Sequence, residues 1–325
     1  MGSTGDLTAE KLFSVKGFVC VVTGGGTGIG LMYFVLPQSL IFPNRHRATQ
    51  ALAANGARVY ITGRRTEVLE NAAKTHSPKS SDGEIIPYIP QTLLFSHSLL
   101  TTRSIGPCDV TKKKDLESLV SRISSKEKYI NLLVTNAGIS GPKAEPNSSS
   151  ATELKDSLFN SESFSEWSST FNTNVSSVYF TTVAFLPLLQ AGKEAHGHLS
   201  ASVIVISSMS GIMRHAQGHF SYNAAKGATV HLAKLMSYEF KQAGIRVNSI
   251  APGYFPSEMT TNESDGGNKS ELPQEKIDEK GHVPTGRAGS DEEMAQGILF
   301  LTKNKYVNGE IVSIDGGVLL DIPGR

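Results

Sequence analysis

The chain has 325 residues but only two cysteines, Cys20 and Cys108, and one tryptophan. Two cysteines cannot build a disulfide framework, so a reducing, cytoplasmic setting is the default expectation. Neither sign of charge is in excess: 31 Lys and Arg against 30 Asp and Glu leave a formal net charge of +1. That balance excludes the basic surplus expected of a nucleic-acid binder or of a protein held on an anionic membrane surface. No apolar run in the sequence approaches the roughly 20 residues of a helical membrane span, so no membrane partner is expected. The N-terminus carries Asp6 and Glu10 and has no apolar signal-peptide core, and Ile322-Pro323-Gly324-Arg325 is no targeting tripeptide. The nine histidines show no metal-ligand spacing, so no metal is expected. Apolar residues are plentiful, at 39%, which at this length suits one large α/β domain with a substantial core.

Two places carry chemistry. In Ser221-Tyr222-Asn223-Ala224-Ala225-Lys226, tyrosine and lysine stand at i and i+4, on one helix face. An ammonium beside a phenol favours phenolate, which is expected to lower the tyrosine's pKa from its reference near 10. Such a tyrosine can exchange a proton with a carbonyl or alcohol oxygen near neutral pH. Ser208 ends the apolar run Val203-Ile204-Val205-Ile206-Ser207 upstream and supplies a substrate anchor. The second place is Thr23-Gly24-Gly25-Gly26-Thr27-Gly28-Ile29-Gly30, directly after the β-prone run Phe18–Val22. A glycine turn from strand to helix lets the backbone approach a pyrophosphate, and the helix N-terminus offers free N–H groups to the anion. The spacing is T-G-x-x-x-G-x-G, not the strict G-x-G-x-x-G. After the second strand come Thr62-Gly63-Arg64-Arg65; arginine there suits a 2′-phosphate, where an NAD enzyme has an acid. NADP(H) is therefore expected in preference to NAD(H).

With these motifs in this order, the sequence resembles the short-chain dehydrogenase/reductase family over nearly its whole length, and the fold implied is a single Rossmann-type doubly wound parallel sheet. The resemblance implies cofactor contacts from Thr23, Gly24, Thr27, Gly28, Ile29 and Gly30, from Asp109 and Val110 near the adenine, and from Asn136-Ala137-Gly138. It implies further contacts from Pro252, Gly253 and Ser257, and from Tyr222 and Lys226. Asn174, Ser208, Tyr222 and Lys226 match the family's catalytic residues, with Asn174 holding a water that links Lys226 to solvent. Departures are Thr135 before the N-A-G motif, Ser257 where threonine is common, and one extra residue between serine and tyrosine. Ser210 competes as the anchor; Ser208, at the strand end, is preferred.

Strands are expected near 18–23, 57–62, 131–135, 202–207, 245–250 and 310–314, with long helices around 165–190 and 221–243. The N-terminal half binds cofactor and the C-terminal half substrate. Gly141–Ser163 reads as a variable loop with one helical turn, and 260–282 as a flexible substrate lid.

Two segments of equal length, Tyr33–Thr49 and Tyr88–Ser104, break the alternation. The first puts Pro37 and Pro43 inside the expected pyrophosphate helix, where each costs roughly 3 kcal/mol. Deleting it joins Gly28–Met32 to Gln50–Ala57; deleting the second joins Ile85-Ile86-Pro87 to the Asp109 turn. Met32-Tyr33 must be encoded ATG-TAY, which contains a GTAY splice-donor sequence. Both read as retained introns of about 51 nucleotides translated in frame, and their shortness points to a fungal gene. Removing them leaves about 290 residues, ordinary for one such domain. Tolerated surface insertions are the alternative.

The activity implied is NADP(H)-dependent interconversion of a ketone, or a 3-oxoacyl group, and a secondary alcohol. The alternatives are a mis-spliced inactive product and a non-catalytic dinucleotide-binding sensor. The partners implied are a small carbonyl or alcohol substrate and further copies of the chain, as homodimer or homotetramer.

Overall fold

Val19–Thr23 is a run of small and β-branched residues, all five buried, and forms β1. Its alternate side chains serve two cores: Cys20 and Val22 face one, Val19 and Val21 the other. The same division holds along β2 (Arg58–Thr62), β4 (Leu132–Thr135) and β5 (Ala201–Ile206). Strands covered on both faces read as continuous apolar runs, which is why the sequence exposes them. With β3 (Glu84–Pro87), β6 (Ile245–Pro252) and β7 (Ile311–Ile314), they make a seven-stranded sheet in the order β3-β2-β1-β4-β5-β6-β7. Every neighbouring pair is parallel. The computed structural model describes residues 7–27, 48–79, 81–88, 108–197, 200–257 and 272–322.

Helices Ala48–Ala54, Thr66–His76 and Asp291–Lys303 bring Leu52, Leu69 and Ile298 to one face of the sheet. Helices Lys113–Ser124, Ser177–His196 and Phe220–Phe240 bring Leu119, Phe185 and Met236 to the other. The strand order reverses between β1 and β4, and in such sheets the ligand crevice opens there, at the carboxyl ends of the strands.

One buried charge serves the fold. Arg246 on β6 is 0% exposed, and its guanidinium donates to the carbonyls of Leu301, Thr302 and Val307 at 2.9–3.0 Å. The first two are among the last carbonyls of helix Asp291–Lys303, which have no partner within the helix. Burial pushes the guanidinium down to about 10, so it remains charged at neutral pH where helix and loop carbonyls surround it.

Several expectations need correction. Gly141–Ser163 contains more than one turn: Ala151–Ser161 is an 11-residue helix, capped by the Ser150 side chain. The expected lid, 260–282, lies partly outside the described residues, and its far end is a short helix, Gln274–Asp278, that buries Ile277. The helical stretch Phe164–Ala195, 32 residues, is long and apolar enough to cross a membrane by length and composition, against the reading that no such run exists. It packs Phe185 and Leu189 into the core beside the sheet and carries Pro187, and the core helix of a soluble protein passes the same test.

At their borders both inserted segments include residues that belong to the described fold. Ala48 and Thr49 are helical and buried, at 1% and 0% exposure. Tyr88 is buried beside Cys108 and Leu116, and its N–H donates to Ile61 O at 2.9 Å, continuing the β2–β3 ladder. The rest of both segments lies outside the described residues. Deleting 33–47 and 89–104, while keeping Ala48, Thr49 and Tyr88, should raise soluble yield, thermal midpoint and NADPH affinity together, because a helix N-terminus binds anions well only when its helix is anchored by packing. A trimmed chain no more stable and no tighter-binding than the full one would mark the segments as tolerated insertions.

Candidate active site

The glycine turn is stitched to the far side of the strand-order reversal. Thr23 Oγ1 accepts from the main-chain N–H groups of Asn136 and Ala137, at 3.1 and 3.3 Å. Asn136 Nδ2 donates back to the carbonyls of Thr23 and Gly24, at 3.2 and 3.1 Å. Gly24 donates to Thr62 O at 2.7 Å, so the ends of β1, β2 and β4 meet at one point. Gly24 has φ +64°, and a Cβ there would lie 3.0 Å from Ala137 Cα, so any other residue would be strained on both counts.

A cleft of about 780 Å³ runs across these carboxyl ends. In strand order it is lined by Arg64, Arg65, Asp109 and Val110, then by Gly24, Thr27 and Asn136–Gly138, then by Tyr222, Lys226 and Ser257. Both arginines are exposed. The sole carboxylate among the described lining residues is Asp109. Burial pushes the Asp109 carboxyl up, but hydrogen bonds from Thr111 and the Lys112 ammonium outweigh it and hold it below its ordinary value. These residues fit a dinucleotide: a glycine turn that a side chain would strain, an acid near the expected adenine end, and cations without a carboxylate at the end of β2.

Not every expected contact lies on the cleft. Gly28, Ile29 and Gly30 lie outside the described residues. Thr23 is buried beneath the turn it organises. Pro252 ends β6, and Gly253 donates to Ile314 O at 2.8 Å; together they route the chain so that Ser257 reaches the cleft. Thr23, Pro252 and Gly253 thus stand behind Gly24 and Ser257, which line the cleft. Conversely, Ser165, Ser168, Ser169, Asn172 and Thr173 line the cleft and were not foreseen. Their signal was present as short polar side chains at i, i+3, i+4, i+7 and i+8, counted from Ser165, along the helix that opens at Phe164 and the π-helical turn that continues it.

Tyr222 and Lys226 share the face of helix Phe220–Phe240 that meets the end of β5. Lys226 Nζ donates to Ile206 O at 2.9 Å and sits 5.7 Å from the centre of the Tyr222 ring. Burial pushes its ammonium down to about 8. The Tyr222 ring is partly exposed and lines the cleft; burial pushes the phenol up, and neighbouring Ser208 pulls the other way. The expected lowering of the tyrosine by the lysine is thus corrected. Nζ is committed to a backbone carbonyl, and desolvation disfavours charge on both groups. Of the two candidate serines, Ser208 is the one that influences Tyr222; its Oγ accepts from Ser210 N at 3.1 Å, capping the turn Met209–Gly211. That turn lies against the helix, where a Cβ on Gly211 would come within 2.4 Å of the Lys226 carbonyl carbon.

Asn174 lies in a π-helical turn, Asn172–Ser176, a form that recurs at functional sites. Its Oδ1 accepts from Ile139 N at 2.9 Å and its Nδ2 donates to Ile139 O at 2.8 Å. The main-chain oxygen accepts from Thr229 Oγ1 at 2.8 Å. The side chain therefore positions the loop after β4 by a two-point clamp on its backbone. Trp167 is half-buried, donates to Glu162 Oε2 at 2.6 Å and stacks on Phe171, which is packing.

A doubly wound sheet whose carboxyl edge joins a dinucleotide cleft to a tyrosine, a serine and a buried lysine defines a nicotinamide-dependent oxidoreductase. The chain belongs to the short-chain dehydrogenase/reductase family. A sequence profile described as Enoyl-(Acyl carrier protein) reductase matches residues 96–319. The chain is 38% identical to the fungal Short-chain dehydrogenase/reductase PhomF of Diaporthe leptostromiformis, covering 98% of this chain and 97% of that one. It is 31% identical to the 3-oxoacyl-[acyl-carrier-protein] reductase FabG of Chlamydia muridarum, over 92% and 96% of the two chains. The solved Pseudomonas aeruginosa RhlG/NADP active-site complex superimposes with a TM-score of 0.68 at 28% identity, over 94% and 98%.

The buried lysine has a measurable cost. Its folded-state pKa, about 8, lies below the ordinary lysine value of 10.5, so the folded chain binds the proton less well than the unfolded one. Below pH 8 that cost is present in full; it fades as pH rises from 8 towards 10.5. Lys226→Met should raise unfolding stability by roughly 2 kcal/mol at pH 7 while turnover is lost, with the gain vanishing by the upper end of that range. Denaturant melts across pH read this directly, and a variant less stable than the parent at pH 7 would contradict it.

Proposed function

We propose that the chain is an NADP(H)-dependent reductase interconverting a ketone or 3-oxoacyl group and a secondary alcohol. The observation that carries this reading is the Tyr222 phenol, with Ser208 and buried Lys226 beside it, at one end of a cleft whose other end holds Arg64 and Arg65. A phenol kept neutral by burial is a proton donor. In the reductive direction Tyr222 gives its proton to the substrate oxygen, which Ser208 holds by a second hydrogen bond. NADPH, when bound, supplies the hydride. Lys226, whose pKa stands near 8, resupplies the tyrosine and holds the nicotinamide ribose. Arg64, with Arg65 beside it, takes the 2′-phosphate. The names of the relatives support both finer points: FabG is a 3-oxoacyl reductase, and RhlG was solved with NADP. A non-catalytic sensor would have no need of the Tyr/Ser/Lys cluster.

One set of cofactor titrations with turnover tests this. Tyr222→Phe should lose at least 99% of activity, on the order of the 10²–10⁴-fold worth of a general acid, with NADPH affinity within about twofold of the parent. Arg64→Asp should weaken NADPH by about tenfold more than NADH. Residual turnover above a few per cent would remove Tyr222 from its role, and equal losses for the two cofactors would remove Arg64.

The long helices also leave apolar side chains uncovered: Tyr179 and Phe180 are 42% and 38% exposed, and Leu235 and Tyr238 50% and 65%. We propose that these faces meet in a homodimer or homotetramer. Light scattering at micromolar concentration should give two or four chain masses; a monomer would contradict it.

A further inference from the structure

The loop leading into Tyr222 is held in a backbone that side chains rarely adopt. Gln217 has φ +53°, and among the described residues it is the one non-glycine residue with positive φ. Such a conformation persists where the surroundings over-determine it, and it concentrates at functional sites. Here the surroundings are two distant segments. Gln217 Nε2 donates to Tyr254 Oη at 2.7 Å and lies 3.4 Å from His282 Nε2. Tyr254 Oη lies 3.0 Å from the same imidazole nitrogen. One proton arrangement satisfies all three groups. Tyr254 accepts from Gln217 and donates to His282, whose Nε2 is the acceptor and whose proton sits on Nδ1.

The other edge of the loop is also fastened. Asn223, adjacent to Tyr222, donates from Nδ2 to the carbonyls of His215 and Ala216, both at 3.1 Å. Beneath the triangle lies a small apolar cluster of Met209, Met213 and Val318, with Tyr254 packed against it. Met209 directly follows Ser208. The loop that carries Gln217 is thus tied at one edge to the helix of the proton donor. At the other it is tied to the segments that follow β6, and the floor under it begins at the serine.

We infer that Gln217, Tyr254 and His282 are positioning residues for the carbonyl substrate. Their hydrogen-bonded triangle fixes residues 214–219 beside Tyr222 and so sets the orientation in which a substrate oxygen meets Tyr222 and Ser208. This rests on the reductase reading above. The left-handed backbone at Gln217 is what aims its amide at Tyr254; the clamp and the strained residue require each other.

The test uses the full chain saturated with NADP+ and reads hydrogen exchange of amides 214–219 by mass spectrometry, which needs no substrate. A second arm measures reduction of ethyl acetoacetate with NADPH. Tyr254→Phe keeps the ring and loses the hydroxyl. It should speed exchange of the loop about fivefold, equivalent to about 1 kcal/mol, and raise KM for the ketone by a similar factor with kcat and NADPH affinity within twofold. His282→Gln restores an acceptor and should stay near the parent in both arms; His282→Leu should match Tyr254→Phe. Gln217→Gly separates positioning from strain relief, since glycine holds φ +53° without help. If the triangle merely offsets strain, that variant will keep the parent's KM, and the inference fails. It fails equally if Tyr254→Phe leaves loop exchange unchanged, or raises exchange across the sheet as a whole. Should the parent itself not reduce the ketone, the 3-oxoacyl reading fails, and the exchange arm alone decides whether the triangle holds the loop.

Discussion

The contact between Thr23 and Asn136 is the constraint on which the site depends. A parallel sheet whose order reverses leaves a gap between the helices that follow its two central strands. Something must fix the width of that gap, because the backbone of the first turn has to approach a ligand closely. Here the fixing is done by four hydrogen bonds between the ends of β1 and β4, two accepted by one threonine hydroxyl and two donated by one asparagine amide. Ile139, three residues beyond Asn136, is gripped in turn by Asn174 from the π-helical turn, whose own carbonyl is tied to Thr229 on the catalytic helix. A continuous chain of polar contacts therefore runs from the glycine turn to the helix bearing Tyr222 and Lys226. None of its members needs to touch substrate for the geometry to depend on it.

Lys226 shows how this scaffold stores reactivity. A lysine at 5% exposure with a backbone carbonyl as partner has no counter-charge to offset desolvation, and its ammonium falls to about 8. Arg246, no less buried, meets three carbonyls and stays charged. The contrast is one of chemistry as much as of partner number. Guanidinium spreads its charge over several donors, and a compact ammonium cannot, so the arginine is suited to a structural cap and the lysine to proton exchange.

Much of the fold was legible because the strands are buried on both faces and announce themselves as apolar runs. Tyr222, Lys226 and Ser208 were legible because helix periodicity and a strand end place them together. What stayed hidden depends on backbone atoms or on no apolar pattern at all. The helix Ala151–Ser161 buries none of its residues, so it carries no periodic signal and rests on its cap. Asn174 spends its side chain on the backbone of Ile139, and Lys226 spends its amine on the carbonyl of Ile206, partners no motif names. The membership of Thr49 and Tyr88 in the core was equally illegible: the segments they bound look foreign by composition, and only packing shows where the fold resumes.

Three breaches of local rules gather around the chemistry. The strands obey their propensities, and the core divides cleanly between the two faces of the sheet. The breaches are a π-helical turn at Asn174, a lysine at 226 buried without a counter-charge and a left-handed glutamine at 217. Asn174 and Gln217 each hold a loop bordering the site, and Lys226 stands beside Tyr222 itself. A sequence free to optimise stability alone would replace each by an ordinary helix, a methionine and a glycine. Their coincidence around one tyrosine is the pattern expected when a consistent fold carries local conflicts for the sake of function.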